Sequence, residues 1–259
     1  MVAHYTVNKK KRSDDAYTAG GKSGKRPDRA VIVYSRIIRK LYPDSLIILG
    51  GLQASLRRVA HYDYWDDSVR QSILFDSQAD ILTYGMGENQ TIEIAKRLAQ
   101  GKSVKQLRDI KGICYYVPTS EYKPGPVVDL PSYERVCESK KEYAIAARKE
   151  LEEADAVRGR TVIQRHGKYI LVQNPPMPPL TTEELDWVYS LPYEKYYHPS
   201  YEALGGVPGI KEVEFSITHN RGCFGACNFC SIAFHQGRAI TVRSKESVLD
   251  EARRLVDNP

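Results

Sequence analysis

The chain has 259 residues, 42% hydrophobic and 27% charged, with a formal net charge of +6. That length holds one large domain or two small ones, with enough apolar content for a core. No apolar run reaches membrane-spanning length and residues 1–12 carry no signal-type apolar stretch, so no membrane partner is expected. Residues 1–29 contain eight Lys/Arg and three Asp and so carry five of the six net charges. Residues 1–28 therefore read as a basic leader, solvated and poorly ordered. A phosphate-binding arm is the other reading of that segment. Its Ala19-Gly20-Gly21-Lys22-Ser23-Gly24-Lys25 run lacks the G-x4-G-K-[ST] spacing, and nucleic acid is not expected as a partner. Five cysteines, three of them clustered, suit the cytoplasm better than a secreted disulfide framework.

Along the chain, the apolar spacing from Arg29 to Leu41 predicts a helix, stopped by Pro43. Leu46–Leu49 reads as a buried strand closing on Gly50-Gly51, and Asp80–Tyr84 as a second closing on Gly85-Met86-Gly87. A helix is predicted from Thr91 to Gln100, with Gly101 as its cap, and a third strand from Ile113 to Val117 containing Cys114 as a small buried residue. Helices alternating with strands imply an open α/β sheet over residues 29–118. Ligands in such sheets bind beyond the carboxyl ends of the strands, where Gly50, Gly51, Gly85 and Gly87 lie. The intervening Ala60–Asp67 run, preceded by Ser55-Leu56-Arg57-Arg58 and dense in aromatics and charge, reads either as a substrate or interface surface or as an aromatic corner tying a loop to the sheet.

Residues 119–212 read as a connecting and covering region. Within it, Ser132–Val157 is a long charged helical stretch containing Cys137, residues 161–172 form a hairpin, and Thr182-Glu183-Glu184 opens a helix. Val213–Ile217 alternates apolar and polar residues like a strand and leads into Gly222-Cys223-Phe224-Gly225-Ala226-Cys227-Asn228-Phe229-Cys230. An amphipathic helix follows, marked by Val248, Ala252, Leu255 and Val256.

The C-x3-C-x2-C spacing is the most informative feature of the chain. A cubane iron–sulfur cluster is normally held by four thiolates. Three cysteines in one short loop can hold three irons and leave the fourth open to a ligand. Gly222 and Gly225 permit the sharp turns such a loop needs, and Phe229 can keep water off a cluster. Two other readings stand beside this one. The cysteines with His219 or His235 could make a Cys3His zinc site in a binding module, or the chain could be a non-catalytic iron–sulfur protein.

The loop resembles the signature of the radical S-adenosylmethionine (SAM) enzymes, with all three cysteines and Phe229 in register. That resemblance implies a 4Fe–4S cluster ligated by Cys223, Cys227 and Cys230, with SAM chelated at the open iron. It also implies contacts from Gly225 and Phe229, the latter beside the adenine. The family cleaves SAM reductively to a 5′-deoxyadenosyl radical and draws its electron from a flavodoxin- or ferredoxin-like donor. More closely, Ser13–Thr18, Gly24–Ala30, Leu49–Arg58 and His61-Tyr62-Asp63-Tyr64-Trp65 resemble the YgiQ-type branch of these proteins. The fold so implied is α/β: a partial open parallel sheet, Rossmann-like or cobalamin-binding-like, followed over residues 213–259 by the first β/α unit of a radical SAM partial TIM barrel. The cobalamin-ligand signature D-x-H-x-x-G is absent, which counts against cobalamin itself. A full barrel takes about 250 residues, so the expectation is a fragment not competent alone, cut at both ends or encoded by a split gene whose C-terminal part is a separate chain.

Overall fold

The computed structural model describes residues 3–225, 227 and 229–257, and the chain divides into two units. The elements of the first half are α1 (Ala30–Leu41), β1 (Ile48–Leu49), α2 (Gly51–Leu56), β2 (His61–Asp63), β3 (Ser68–Arg70), α3 (Ile73–Ser77), β4 (Ile81–Thr83) and α4 (Glu88–Ala99). Then come β5 (Ile113–Pro118), β6 (Val128–Asp129), α5 (Tyr133–Glu138), α6 (Lys140–Glu152), β7 (Val162–His166) and β8 (Tyr169–Gln173). The last are α7 (Thr182–Ser190), β9 (Asn220–Arg221), α8 (Ile232–Gln236), β10 (Thr241–Val242) and α9 (Lys245–Asp257).

The larger unit, residues 34–179 and 222–240, is built on an open six-stranded sheet in the order β1-β4-β5-β8-β7-β6. The three strands expected from apolar runs are present and adjacent, but only β1 with β4 and β6 with β7 run parallel. β5 enters antiparallel, pairing Cys114 with Leu82, so the sheet is mixed rather than parallel throughout. The β7–β8 hairpin, turned at Gly167 with φ +56°, supplies β5's other neighbour. Residues read as a connector therefore contribute the middle of the sheet. Ile81, Ile94, Leu107, Ile110 and Ile113 form one buried cluster, and Val117, Ile163, Ile170 and Val172 another. The helical stretch after Ser132 is broken in two, because Ser139 ends α5 in an extended conformation and accepts the Glu142 N–H to begin α6.

The aromatic run at 60–67 folds as the β2–β3 hairpin. Its His61 and Asp63 face inward while Tyr62 and Tyr64 are exposed. The Ala60 N–H donates to Gln164 Oε1 at 2.8 Å, which ties the hairpin to β7.

The other unit takes residues 1–33, 180–221 and 241–259. Thr181 caps α7 reciprocally with Glu184, and Leu180, Leu185 and Val188 form its apolar centre. Buried Arg243 stacks 4.2 Å from the Tyr189 ring and pairs with Glu251, which also takes Lys195. Near the N-terminus, Asp15 is fully buried and receives Arg26 at 2.7 and 2.8 Å, which holds its carboxyl below the ordinary carboxylate range. The Gly20 N–H donates to the Gly206 carbonyl at 2.8 Å, and the Gly209 N–H to that of Ala16 at 2.7 Å. Val213–Ile217, expected as a barrel strand, forms no strand. It follows a 3-10 turn at Pro208–Glu212, and no strand among the described residues pairs with it to satisfy its backbone groups.

Burial pushes the imidazoles of His61 and His166 down to about 4. Between pH 6.5 and 4 the unfolded chain binds protons that the folded chain cannot. The stability these groups give is therefore complete above pH 6.5 and lost as pH falls toward 4, by about 3 kcal/mol per histidine. Urea unfolding across that window should show the midpoint falling with acid, and falling less in His166→Phe; a flat profile would contradict it.

Candidate functional site

The cysteine loop begins at Gly222, whose φ is +82° and whose missing Cβ would collide with the Ala239 carbonyl oxygen. Only glycine lets the two arms of the loop approach this closely. The Cys223 N–H donates to the Gly237 carbonyl at 3.1 Å and the Gly222 N–H to Gln236 Oε1 at 3.0 Å, which closes the base. Before and after the loop, β9 pairs with β10 in antiparallel register, Arg221 opposite Thr241. Within it, the Cys230 N–H donates to the Cys227 carbonyl at 3.1 Å, a tight turn between the last two cysteines.

A Cβ at Gly225 would lie 3.3 Å from Cys223 Sγ and 3.9 Å from Cys227 Sγ. Two thiols thus border one small space that a side chain at 225 would fill. Cys227 is exposed and Cys223 and Cys230 are half-buried. Among the described residues no group of three or more His, Cys, Asp or Glu stands at metal-ligating separation. The donor set nevertheless fits an iron–sulfur cluster in kind: three thiols in a short turn, one glycine leaving room between two of them. Phe224 and Phe229 are 80% and 93% exposed, so both rings face solvent. Ala226 and Asn228 lie outside the described residues. His219 is exposed, with Nδ1 3.2 Å from Asn220 Oδ1.

After Cys230 the chain forms α8, which packs against α2. The His235 carbonyl oxygen would be 3.4 Å from a Cβ at Gly85, where φ is +73°. A Cβ at Gly50 would lie 3.0 Å from Thr83 Oγ1, whose hydroxyl donates to the Leu49 carbonyl. Gly50 and Gly85 therefore serve close packing, whereas a Cβ at Gly51 would meet nothing within 4 Å, and α8 occupies the surface beside Gly85. His235 is half-buried, and its imidazole is pushed below its ordinary value by burial and by the nearby Arg58 charge.

Arg58, which the sequence places in a charged run read as a surface, is 1% exposed. Its Nε donates to Gln173 Oε1 at 2.9 Å, its Nη1 to the Ser55 carbonyl, and its Nη2 lies 3.1 Å from Glu150 Oε1. Burial pushes the Glu150 carboxyl up and Arg58 opposes it. A basic pair in a charged stretch gives no sign of which arginine is inside.

A family model described as radical SAM N-terminal matches residues 1–216. The chain belongs to the radical SAM N-terminal family. Among curated relatives, a UPF0313 protein of Clostridium botulinum (strain Okra / Type B1) is 52% identical over 257 residues, 99% of this chain and 40% of the relative. A UPF0313 protein of Clostridium perfringens (strain ATCC 13124) is 52% identical over 256 residues, 98% of this chain and 38% of the relative. The chain thus spans about two fifths of the length of these relatives. No solved structure matches the chain. The family match ends before Cys223, while the relatives align across almost the whole sequence. No helix among the described residues of this radical SAM family member is long and apolar enough to cross a membrane.

Gly222→Ala should open the loop base, because the new methyl meets backbone rather than a movable side chain. Tryptic cleavage after exposed Arg238 should accelerate several-fold relative to the unsubstituted chain. Unchanged cleavage would show that the arms tolerate separation.

Proposed function

We propose that this chain is the N-terminal part of a radical SAM enzyme, in which Cys223, Cys227 and Cys230 hold a 4Fe–4S cluster with one iron open to SAM. What carries the reading is three thiols within one nine-residue loop, in a chain of the radical SAM N-terminal family. The common space beside Gly225 supports it, since two of those thiols already border that space. When bound, such a cluster supplies the electron for reductive cleavage of SAM to methionine and a 5′-deoxyadenosyl radical.

The chain's own residues act by binding and positioning. The three thiolates are the proposed ligands. Gly222 brings the loop's arms together, Gly225 leaves the interior of the turn open, and Gly225 and Phe229 are the proposed contacts to SAM. A flavodoxin- or ferredoxin-like protein is the proposed electron donor, and the cytoplasm the proposed compartment.

Anaerobic reconstitution with iron and sulfide, followed by metal analysis, tests the ligand set. About four irons per chain are expected, falling to background in Cys227→Ala, because two thiolates do not retain a cubane. Stoichiometric zinc that iron does not replace, or iron unchanged in Cys227→Ala, would overturn the assignment.

A further inference from the structure

We infer that Arg58 is a positioning residue for the cysteine loop, its buried guanidinium clamping Phe234 of α8 and so fixing residues 222–240 against the sheet. The inference rests on the proposed function only for what the loop does; the clamp is a property of the protein without metal.

The geometry is that of a planar cation used on both its edge and its faces. Gln173 Oε1 and the Ser55 carbonyl accept from Nε and Nη1, and Nη2 is ion-paired with Glu150 at 3.1 Å without a hydrogen bond. The two aromatic contacts of the guanidinium are the Tyr84 ring, with its centroid 4.7 Å away, and the Phe234 ring at 4.2 Å. Tyr84 follows β4 and is itself fixed, its hydroxyl donating to the Asn174 carbonyl at 2.5 Å. Phe234 lies four residues beyond Cys230, on the short helix that closes the loop. Arg58 thus joins the end of the parallel strand pair to the segment that carries the thiols.

A buried ion pair is a poor source of stability, since an apolar replacement of similar volume often does as well. Its use here is selective. A guanidinium hydrogen-bonded at its rim attracts an aromatic ring over its face, and desolvation strengthens that attraction. A lysine has the charge but neither the plane nor the fork. The ring at 234 consequently has one preferred seat, and α8 with it. The His235 backbone beside Gly85 is a second contact of the same helix.

Hydrogen–deuterium exchange on the whole metal-free chain tests this. Phe234→Leu keeps the volume apolar and leaves the Arg58–Glu150 pair intact, so it is expected to fold. Exchange across residues 222–240 should rise about tenfold, the scale of one cation–π contact to a buried cation, with β5 and β8 unchanged. Phe234→Tyr keeps a ring and should keep the protection. Arg58→Lys should show the same rise in the loop, together with faster exchange at α2 and β8 where its fork is lost, and combining it with Phe234→Leu should add nothing to the loop. Unchanged protection in Phe234→Leu, loss of protection in Phe234→Tyr, additive loop effects in the double variant, or acceleration in Phe234→Leu spread equally over β5 and β8 would each overturn the clamp. Failure of the unsubstituted chain to take up iron would count against the proposed function and leave this result standing.

Discussion

Arg58 and Glu150 are both ionisable, both buried, and 3.1 Å apart. Taking either partner alone out of water costs several kcal/mol, so everything around them must be arranged to compensate. Gln173 at the end of β8, the carbonyl closing α2, and Tyr84 after β4 all converge on the guanidinium. Those three groups come from parts of the chain far apart in sequence. Their meeting fixes how α2 and α6 sit on the sheet and leaves one aromatic seat, which Phe234 fills. The cysteine loop is therefore carried on a rigid base although its own turn is exposed.

Part of the strand-end surface of the α/β unit is covered by the chain itself. In open α/β sheets, the crevice beyond the carboxyl ends is where small molecules usually sit. Here Gly50 and Gly85 admit Thr83 and the His235 backbone at contact distance. Of the four glycines at the strand ends, Gly85 lets the α8 segment approach and Gly50 lets in the side chain of the neighbouring strand. Membership of the radical SAM N-terminal family gives that segment its meaning, since its three cysteines are the proposed ligands of the cluster.

Much of the sheet was legible because its signals are local. Leu46–Leu49 and Ile113–Val117 are uninterrupted apolar runs, Gly167 marks a hairpin, and Thr181 with Glu184 announces a helix start. Strand direction was not legible, since a run buried on both faces reads alike in parallel and antiparallel neighbours. The β2–β3 hairpin was hidden because its inward residues are His61 and Asp63, polar side chains that invert the usual alternation. Val213–Ile217 shows the opposite failure, an alternating pattern with no neighbouring strand to pair with. Charge counts likewise gave the sign of the N-terminal segment but not its pairing, for Asp15 and Arg26 meet across a turn. The three thiols were legible by spacing alone, whereas the residue that seats them was not.

The central claim is an iron–sulfur cluster with one open iron at Cys223, Cys227 and Cys230. EPR of the reconstituted, dithionite-reduced protein, recorded with and without SAM, addresses it most directly. The account predicts a cubane-type signal that changes when SAM is added. A protein that binds zinc and gives no such signal, or a cubane signal indifferent to SAM in the full-length polypeptide, would contradict it.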